Sequence, residues 1–111
     1  MQMQMQPLQK HAYFEELYEN NSLETPVLIY FTANWCGACK RIDWNHIDEE
    51  FPKLVVYKCD VDVNKYTPGF CRIRSIPNFI MVYPGNKNIS DPFQSSDTAK
   101  IATWIQTHLK K

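Results

Sequence analysis

Two cysteines separated by two residues are the part of this sequence that can do chemistry. Cys36 and Cys39 stand in the stretch Trp35-Cys36-Gly37-Ala38-Cys39, directly after an apolar run rich in β-branched residues. A pair with this spacing can alternate between a dithiol and a disulfide and so carry two electrons. Because the thiolate is the reactive form, the surroundings of the pair decide whether it is active. The motif predicts a redox protein.

The elements on either side of the cysteines fit that chemistry. Residues 26–32 are apolar without alternation, which is typical of a strand buried on both faces of a sheet. From Cys36 to Phe51 apolar residues recur near helical spacing, so we expect one helix that ends at Pro52. Cys36 would then lie at a helix N-terminus, where unpaired N–H groups and the helix dipole favour a thiolate.

The remaining sequence predicts strands and helices in alternation. Periodicity and turn residues indicate a weak edge strand or a frayed end over 1–6, helices near 9–20 and 64–71, strands near 54–61 and 79–83, a hairpin partner near 87–91, and a last helix capped by Ser95, Ser96 or Asp97. This order predicts an α/β protein with helices on both faces of a mixed sheet. Its 111 residues fit one domain, spanning 1–111.

Charge balance and the lack of long apolar runs argue against several classes of protein. Twelve basic and twelve acidic side chains leave no formal net charge, so nucleic acid is not an expected partner. Residues 1–6 lack the pattern of a signal peptide, and no run reaches membrane-spanning length, so we expect a cytoplasmic protein. Four cysteines leave a disulfide scaffold or a zinc site as minor alternatives, but Cys59 and Cys71 form no second close pair. We therefore expect no bound metal.

The sequence around the cysteines resembles the thioredoxin family. The resemblance rests on the segment Phe31-Thr32-Ala33-Asn34-Trp35-Cys36-Gly37-Ala38-Cys39-Lys40 and on Ser75-Ile76-Pro77, with Pro77 placed 41 residues after Cys36. It extends over nearly the whole chain. It implies a thioredoxin fold, with a central mixed sheet of four to five strands flanked by about four helices.

The resemblance also implies roles for single residues. Cys36 would attack a target disulfide and Cys39 would resolve the mixed disulfide, with no bound cofactor. Trp35 would contact the substrate, and Ile76 would offer it backbone groups beside a cis peptide bond at Pro77. The implied partners are protein disulfides and a thioredoxin reductase or another dithiol donor, with the protein acting as a monomer in electron transport and cell redox homeostasis.

Several positions depart from the family pattern and bear on the chemistry. Tyr30 replaces a buried aspartate that assists proton transfer to and from the second cysteine. A phenol is a poor base near neutral pH, so release of the mixed disulfide would be slower or would use water. Ala38 replaces a proline between the cysteines and restores a backbone N–H, while Trp44 replaces a helix-kinking proline, so we expect a straighter helix. Gly37, Ala38 and Lys58 are the residues expected to tune the thiol pKa values, although Lys58 could instead simply reach solvent.

Three functions remain open from the sequence. The leading one is a protein disulfide reductase; the second is an oxidant or isomerase using the same cysteines, which Ala38 and the missing carboxylate would permit. The third is a binding module in which the cysteines matter little. Cys59 is expected to be a buried apolar residue. Cys71, near Arg72 and Arg74, is either a spectator or a site of regulatory oxidation or dimer formation.

Overall fold

The computed structural model describes residues 5–19 and 23–110. These residues form five strands, four α-helices and one short 3₁₀ helix. In chain order these are β1 (Met5–Pro7), α1 (His11–Tyr18), β2 (Val27–Thr32), the 3₁₀ helix (Ala38–Arg41), α2 (Trp44–Glu50), β3 (Val56–Asp60), α3 (Tyr66–Phe70), β4 (Asn78–Val82), β5 (Phe93–Gln94) and α4 (Thr98–Leu109). The edge strand expected over 1–6 is present from Met5 onward. Its first four residues, and the helix end expected at Asn20, lie outside the described residues.

The sheet is mixed and has β2 at its centre. Its strand order is β1-β3-β2-β4-β5, with β2 parallel to β3 and antiparallel to β4. All six residues of β2 are buried, which confirms the prediction of a strand covered on both faces. Val, Ile, Tyr, Phe and Thr are the residue types that fit such a position best.

Alternate residues of β2 belong to two separate apolar clusters, one on each face of the sheet. Leu28 and Tyr30 lie on the face covered by α2 and α4, in the cluster that also contains Cys36 and Cys39. Ile29 and Phe31 lie on the opposite face, against α1 and the segment after α3. The structure thereby confirms the prediction of helices on both faces of the sheet.

In the described ranges, none of the helices is long and apolar enough to cross a membrane.

The prediction of a single helix from Cys36 to Phe51 is wrong, because the helical conformation is interrupted between the 3₁₀ helix and α2. Ile42 is extended, with φ −73° and ψ 126°, and its side chain is buried in the same cluster as Cys39. Asp43 then caps α2 by accepting the His46 N–H at 3.2 Å, while its own N–H donates to Thr98 Oγ1 at 2.9 Å. Burial of Ile42 and the contact with α4 therefore override the helical pattern, and the expectation of a straighter helix fails with it.

The partner strand of β4 also differs from the sequence expectation. Ile89 forms only an isolated bridge with Val82, whereas the paired strand is β5, in which Phe93 lies opposite Phe79. Ser90 explains the difference, because it occupies both backbone groups of Met81. The Ser90 hydroxyl accepts from the Met81 N–H, and the Ser90 N–H donates to the Met81 carbonyl. The last helix begins as predicted, with Asp97 accepting the N–H groups of Ala99 and Lys100.

Replacement of Asp43 by alanine should destabilise the fold at the interruption. The Asp43→Ala variant loses the cap of α2, and loss of such a cap costs about 1 kcal/mol in the free energy of unfolding. Urea unfolding monitored by circular dichroism should show a lower midpoint at unchanged slope. The Asp43→Ser variant keeps a capping oxygen and should stay near the parent. Equal midpoints for the parent and Asp43→Ala would contradict the role of the cap.

Candidate active site

Three chain segments meet at one edge of the sheet, and two of them carry residues that the sequence singled out. β2 and β3 are parallel and therefore end at this edge, whereas the antiparallel β4 begins there. The connection after β2 holds Cys36, the one after β3 holds Asp62, and the one before β4 holds Pro77. A site at the carboxyl ends of parallel strands is a common arrangement in α/β proteins.

Cys36 and Cys39 form a disulfide at this edge, with their Cα atoms 5.3 Å apart. The Cys36 N–H donates to the Ala33 carbonyl at 3.1 Å, which closes the turn after β2. The Cys39 N–H donates to Cys36 Sγ, also at 3.1 Å. A donor held against this sulfur favours its anionic form, so the local backbone is arranged to stabilise a Cys36 thiolate once the disulfide is reduced.

The Cys36 thiolate is stabilised by a different group from the helix N-terminus that the sequence predicts. Only a four-residue 3₁₀ helix follows Cys36, with Gly37 as its N-cap, so the dipole of a long helix is not available. The hydrogen bond that Cys36 Sγ accepts comes from Cys39, one residue beyond Ala38. Gly37 has φ −64° and ψ −41°, and an added Cβ would meet nothing within 4 Å, so the fold itself does not require glycine there.

Trp35 lies exposed beside the disulfide and is held by a residue that sequence reasoning missed. Its side chain is 68% exposed, and its Nε1–H donates to Asp62 Oδ2 at 2.9 Å. Asp62 N–H in turn donates to Asp60 Oδ1, which orients the turn after β3. The sequence signal was present in Asp60-Val61-Asp62, a polar pair at the end of a strand parallel to β2.

The Ile76–Pro77 peptide bond is cis, as the resemblance implied. Phe31 pairs with Asn78, so Pro77 lies at the level of Thr32, where the chain leaves β2 toward the cysteines. Pro77 is buried, and Ile76 is half-buried against the clusters on both faces. The structure thus brings Ile76 and Pro77 to the same edge as Cys36 and Trp35.

An aromatic cluster lies on the disulfide face of the sheet where the family pattern has an acid. The rings of Tyr30 and Trp44 are 4.8 Å apart, and those of Tyr30 and Phe79 are stacked at 5.4 Å. Burial raises the pKa of the Tyr30 phenol, and the neighbouring Thr32 and Trp44 side chains offset this only in part. Tyr30 therefore remains protonated near neutral pH and cannot serve as a base for the Cys39 proton.

Lys58 lies beside Tyr30 in the register of the sheet but points out of the core. The two Cα atoms are partners in the parallel pairing of β2 and β3, so both side chains leave the same face. The Lys58 side chain is exposed, and within residues 5–19 and 23–110 no ion pair involves it. This placement agrees with the alternative that Lys58 reaches solvent.

Cys59 and Cys71 are buried free thiols on the opposite face of the sheet. Burial raises the pKa of Cys59 to about 12, with a smaller contribution from Asp60. Burial, and to a lesser degree the Cys59 thiol, raises the pKa of Cys71 to about 12. Such thiols are almost entirely protonated near neutral pH, so they take no part in the site. Among the described residues, no group of three His, Cys, Asp or Glu side chains could hold a metal ion.

Comparisons of sequence and structure with known proteins all point to one family. The Thioredoxin family profile matches residues 4–107. Thioredoxin from Geodia cydonium is 40% identical over 82 residues, covering 72% of this chain and 76% of that protein. Thioredoxin from Haemophilus influenzae is 31% identical over 101 residues, covering 88% and 92%. The crystal structure of Fasciola hepatica thioredoxin superposes with a TM-score of 0.79 at 26% identity, covering 94% of this chain and 99% of that one.

A cysteine pair that forms a disulfide at the edge of this α/β sheet defines a thiol–disulfide oxidoreductase. The pair lies where β2 ends, beside a cis peptide bond and an exposed tryptophan. With the profile match over almost its whole length, the chain belongs to the thioredoxin family, which acts on protein disulfides.

The two buried thiols predict how stability depends on pH. Their pKa values lie at about 12 in the folded protein against 9.0 for an exposed thiol. The unfolded chain therefore loses these protons first, and the free energy of unfolding falls as pH rises from about 9 to about 12. The fall is at most about 1.4 kcal/mol per pH unit for each thiol.

Guanidinium unfolding of the parent and of Cys71→Ala between pH 8 and pH 11 measures this dependence. The variant has one buried thiol fewer, so its free energy of unfolding should fall less steeply above pH 9. Both proteins keep the Cys36–Cys39 disulfide, which makes the comparison direct. Parallel curves would show that the Cys71 thiol is not protected by burial.

Proposed function

We propose that the chain reduces protein disulfides, with Cys36 as the nucleophile and Cys39 as the resolving thiol. The observation that carries this proposal is the Cys39 N–H held 3.1 Å from Cys36 Sγ. It supplies a donor to the first sulfur, whereas no comparable donor to the Cys39 sulfur is found among the described residues. The asymmetry favours Cys36 as the thiolate and hence as the attacking group.

The reaction then has two exchange steps. The Cys36 thiolate attacks one sulfur of the substrate disulfide, forming a mixed disulfide and releasing the other substrate sulfur as a thiolate. Cys39 loses its proton and attacks Cys36 Sγ, which releases the second substrate thiol and leaves the Cys36–Cys39 disulfide. Two electrons pass to the substrate. Because Cys36 reacts as a thiolate, the pair releases only the Cys39 proton, and the substrate thiolates take up any further proton from water. A thioredoxin reductase or another dithiol donor returns the pair to the dithiol.

The second step has no carboxylate at the position that Tyr30 occupies in β2. Tyr30 is protonated and packed between Trp44 and Phe79, so it cannot accept the Cys39 proton. We therefore assign that proton to water or to the departing substrate thiolate, and expect slower resolution than with an acid at this position. Lys58 would contribute to the thiol pKa only at a distance through solvent.

We also propose where the protein acts and which residues meet its substrate. The protein is a monomeric single domain of the cytoplasm. Trp35, Ile76 and Pro77 contact the substrate, and Gly37 leaves open space next to Cys36. Support comes from the exposure of Trp35 and from the lack of any atom within 4 Å of a Cβ at Gly37. Neither nucleic acid nor membrane is part of this proposal.

A trapping experiment tests the assignment of the two cysteines. The Cys39→Ser variant can form the mixed disulfide but cannot resolve it, so turnover should fall below detection and covalent adducts should accumulate on Cys36. Adducts recovered from native extract, released by dithiothreitol and identified by mass spectrometry, would name substrates and electron donor.

The matched control is the variant with both Cys36→Ser and Cys39→Ser, which retains Cys59 and Cys71 and should trap nothing. The same variant separates catalysis from simple binding, because a binding module would retain its partner without either cysteine. Absence of adducts on a Cys36 that is reduced and open to alkylation would refute the proposal.

Ala38 should make the pair more oxidising than standard thioredoxin. Its backbone N–H is a donor between the two cysteines that a proline would lack, and stabilising the thiolate favours the reduced form. We expect a reduction potential above about −270 mV, and a decrease of about 30 mV for each 1.4 kcal/mol of thiolate stabilisation lost in Ala38→Pro.

Equilibration with glutathione buffers gives the potential directly. Ala38 begins the 3₁₀ helix, a position that accepts proline, and Ala38→Ser serves as the control that keeps the N–H. A potential at or below about −270 mV in the parent would count against this role of Ala38. It would leave the assignment of Cys36 and Cys39 untouched.

A further inference from the structure

The segment that leads into β4 has no backbone hydrogen bonds to hold it in place. Between described residues, no backbone–backbone hydrogen bond outside the helices and strands involves Ser75, Ile76 or Pro77, and proline has no N–H to donate. The Ile76 side chain is half-buried and packs against the apolar clusters on both faces of the sheet. The backbone groups of Ile76 are thus free to pair with a substrate, but another group must fix their direction.

The Asn78 side chain is that group. Asn78 is the first residue of β4 and is only 4% exposed. Its Nδ2 donates to the Ser75 carbonyl at 3.2 Å, and its Oδ1 accepts the Phe79 N–H at 2.9 Å. The side chain therefore ties the beginning of the segment to the strand that follows it, and Ile76 and Pro77 lie within the loop that this bond closes.

The two partners of Asn78 allow its side chain only one orientation. An amide has a donor end and an acceptor end, and each end faces the matching backbone group. If the amide were turned around, its Nδ2 would face the Phe79 N–H and its Oδ1 would face the Ser75 carbonyl. Leaving buried polar groups without partners is costly, so the asparagine holds the segment in one conformation.

We propose that Asn78 is a positioning residue for disulfide exchange. Its bond to the Ser75 carbonyl holds Ile76 so that the N–H and carbonyl of Ile76 pair with the backbone of the protein substrate beside Cys36. This rests on the proposed function and states how the substrate is aligned. A loop that is ordered beforehand binds more tightly, because less conformational entropy is lost on binding. Asn78 itself is buried and does not touch the reacting sulfur atoms.

Two substrates of different size separate positioning from stability. One is a peptide with an intramolecular cystine and unstructured residues on both sides of it. The other is hydroxyethyl disulfide, which has no peptide groups to pair with Ile76. The protein is reduced beforehand and freed of reductant, so that its dithiol supplies the two electrons to either disulfide. Stopped-flow tryptophan fluorescence gives a second-order rate constant for each substrate, and their ratio reports the alignment of the peptide backbone.

Replacement of Asn78 should lower the rate for the peptide alone. Asn78→Ala loses both side-chain bonds, whereas Asn78→Asp loses only the donor to Ser75, because a carboxylate still accepts the Phe79 N–H. In each variant we expect the rate constant for the peptide to fall about fivefold, equivalent to about 1 kcal/mol. The rate constant for hydroxyethyl disulfide should stay near that of the parent.

Asn64→Ala is the matched control. Asn64 is also a buried asparagine, 3% exposed, and its Nδ2 donates to the Leu8 carbonyl at 3.2 Å and to Thr67 Oγ1 at 2.8 Å. Its bonds hold the connection after β1 and the first turn of α3, not the segment before β4. The variant should be destabilised like Asn78→Ala yet keep the ratio of the parent. Thermal unfolding first shows that every variant is folded at the assay temperature.

Methylation of the peptide backbone shows whether Ile76 is the partner. Peptides are prepared with one N–H methylated at a time, which removes a single donor. In the parent, methylation at one position beside the cystine should slow reduction about fivefold, and in Asn78→Ala the same change should have an effect below about twofold. The smaller effect is expected because the Ile76 carbonyl is no longer held toward the peptide.

The outcomes separate this proposal from the function on which it rests. An unchanged ratio of rate constants in the Asn78 variants, an equal fall for both substrates, or the same loss of ratio in Asn64→Ala would overturn the positioning role and leave the reductase intact. Failure of the parent to reduce either disulfide would instead refute the proposed function. A ratio lowered only in the Asn78 variants, in which methylation loses its effect, establishes Asn78 as the positioning residue.

Discussion

Burial of β2 on both faces is the constraint on which the rest of the structure depends. A strand with six buried residues must find hydrogen-bond partners on both sides and apolar cover above and below. β3 and β4 supply the partners, and the helices supply the cover. Because β3 is parallel and β4 antiparallel, the connections that carry Cys36, Asp62 and Pro77 are brought to one edge. The position of the site thus follows from the pairing of the central strand.

The packing on the disulfide face couples two departures that look independent in sequence. Tyr30 is in β2 and Trp44 in α2, yet their rings are 4.8 Å apart and both adjoin Phe79. Aromatic pairs at such distances are favourable beyond the apolar area they bury. A charged acid in place of Tyr30 would lie in the same apolar surroundings, against Trp44 and Phe79, where burying a charge costs free energy. The two departures therefore belong to one aromatic cluster in this chain.

The four cysteines differ in reactivity because the fold places them in two different surroundings. All four are more than nine-tenths buried, so accessibility of the whole residue does not distinguish them. Cys36 and Cys39 lie in a connection at the sheet edge with a backbone N–H aimed at sulfur. Cys59 and Cys71 lie under α1 and α3, where burial raises their pKa values to about 12. Local donors and position at an edge, more than burial itself, separate a reactive pair from two inert thiols.

The central strand, the capped last helix, the alternation of elements and the cysteine pair are all predictable from the sequence, because apolar periodicity, capping residues and spacing are local properties. Through the family resemblance it also indicated the cis bond at Pro77. It could not determine the interruption at Ile42 and Asp43, which depends on a contact with Thr98, 55 positions away from Asp43. Nor could it reveal the bond from Trp35 to Asp62, the cluster of Tyr30 with Trp44, or the direction of Lys58. These follow from contacts between residues distant in the chain, which only tertiary packing brings together.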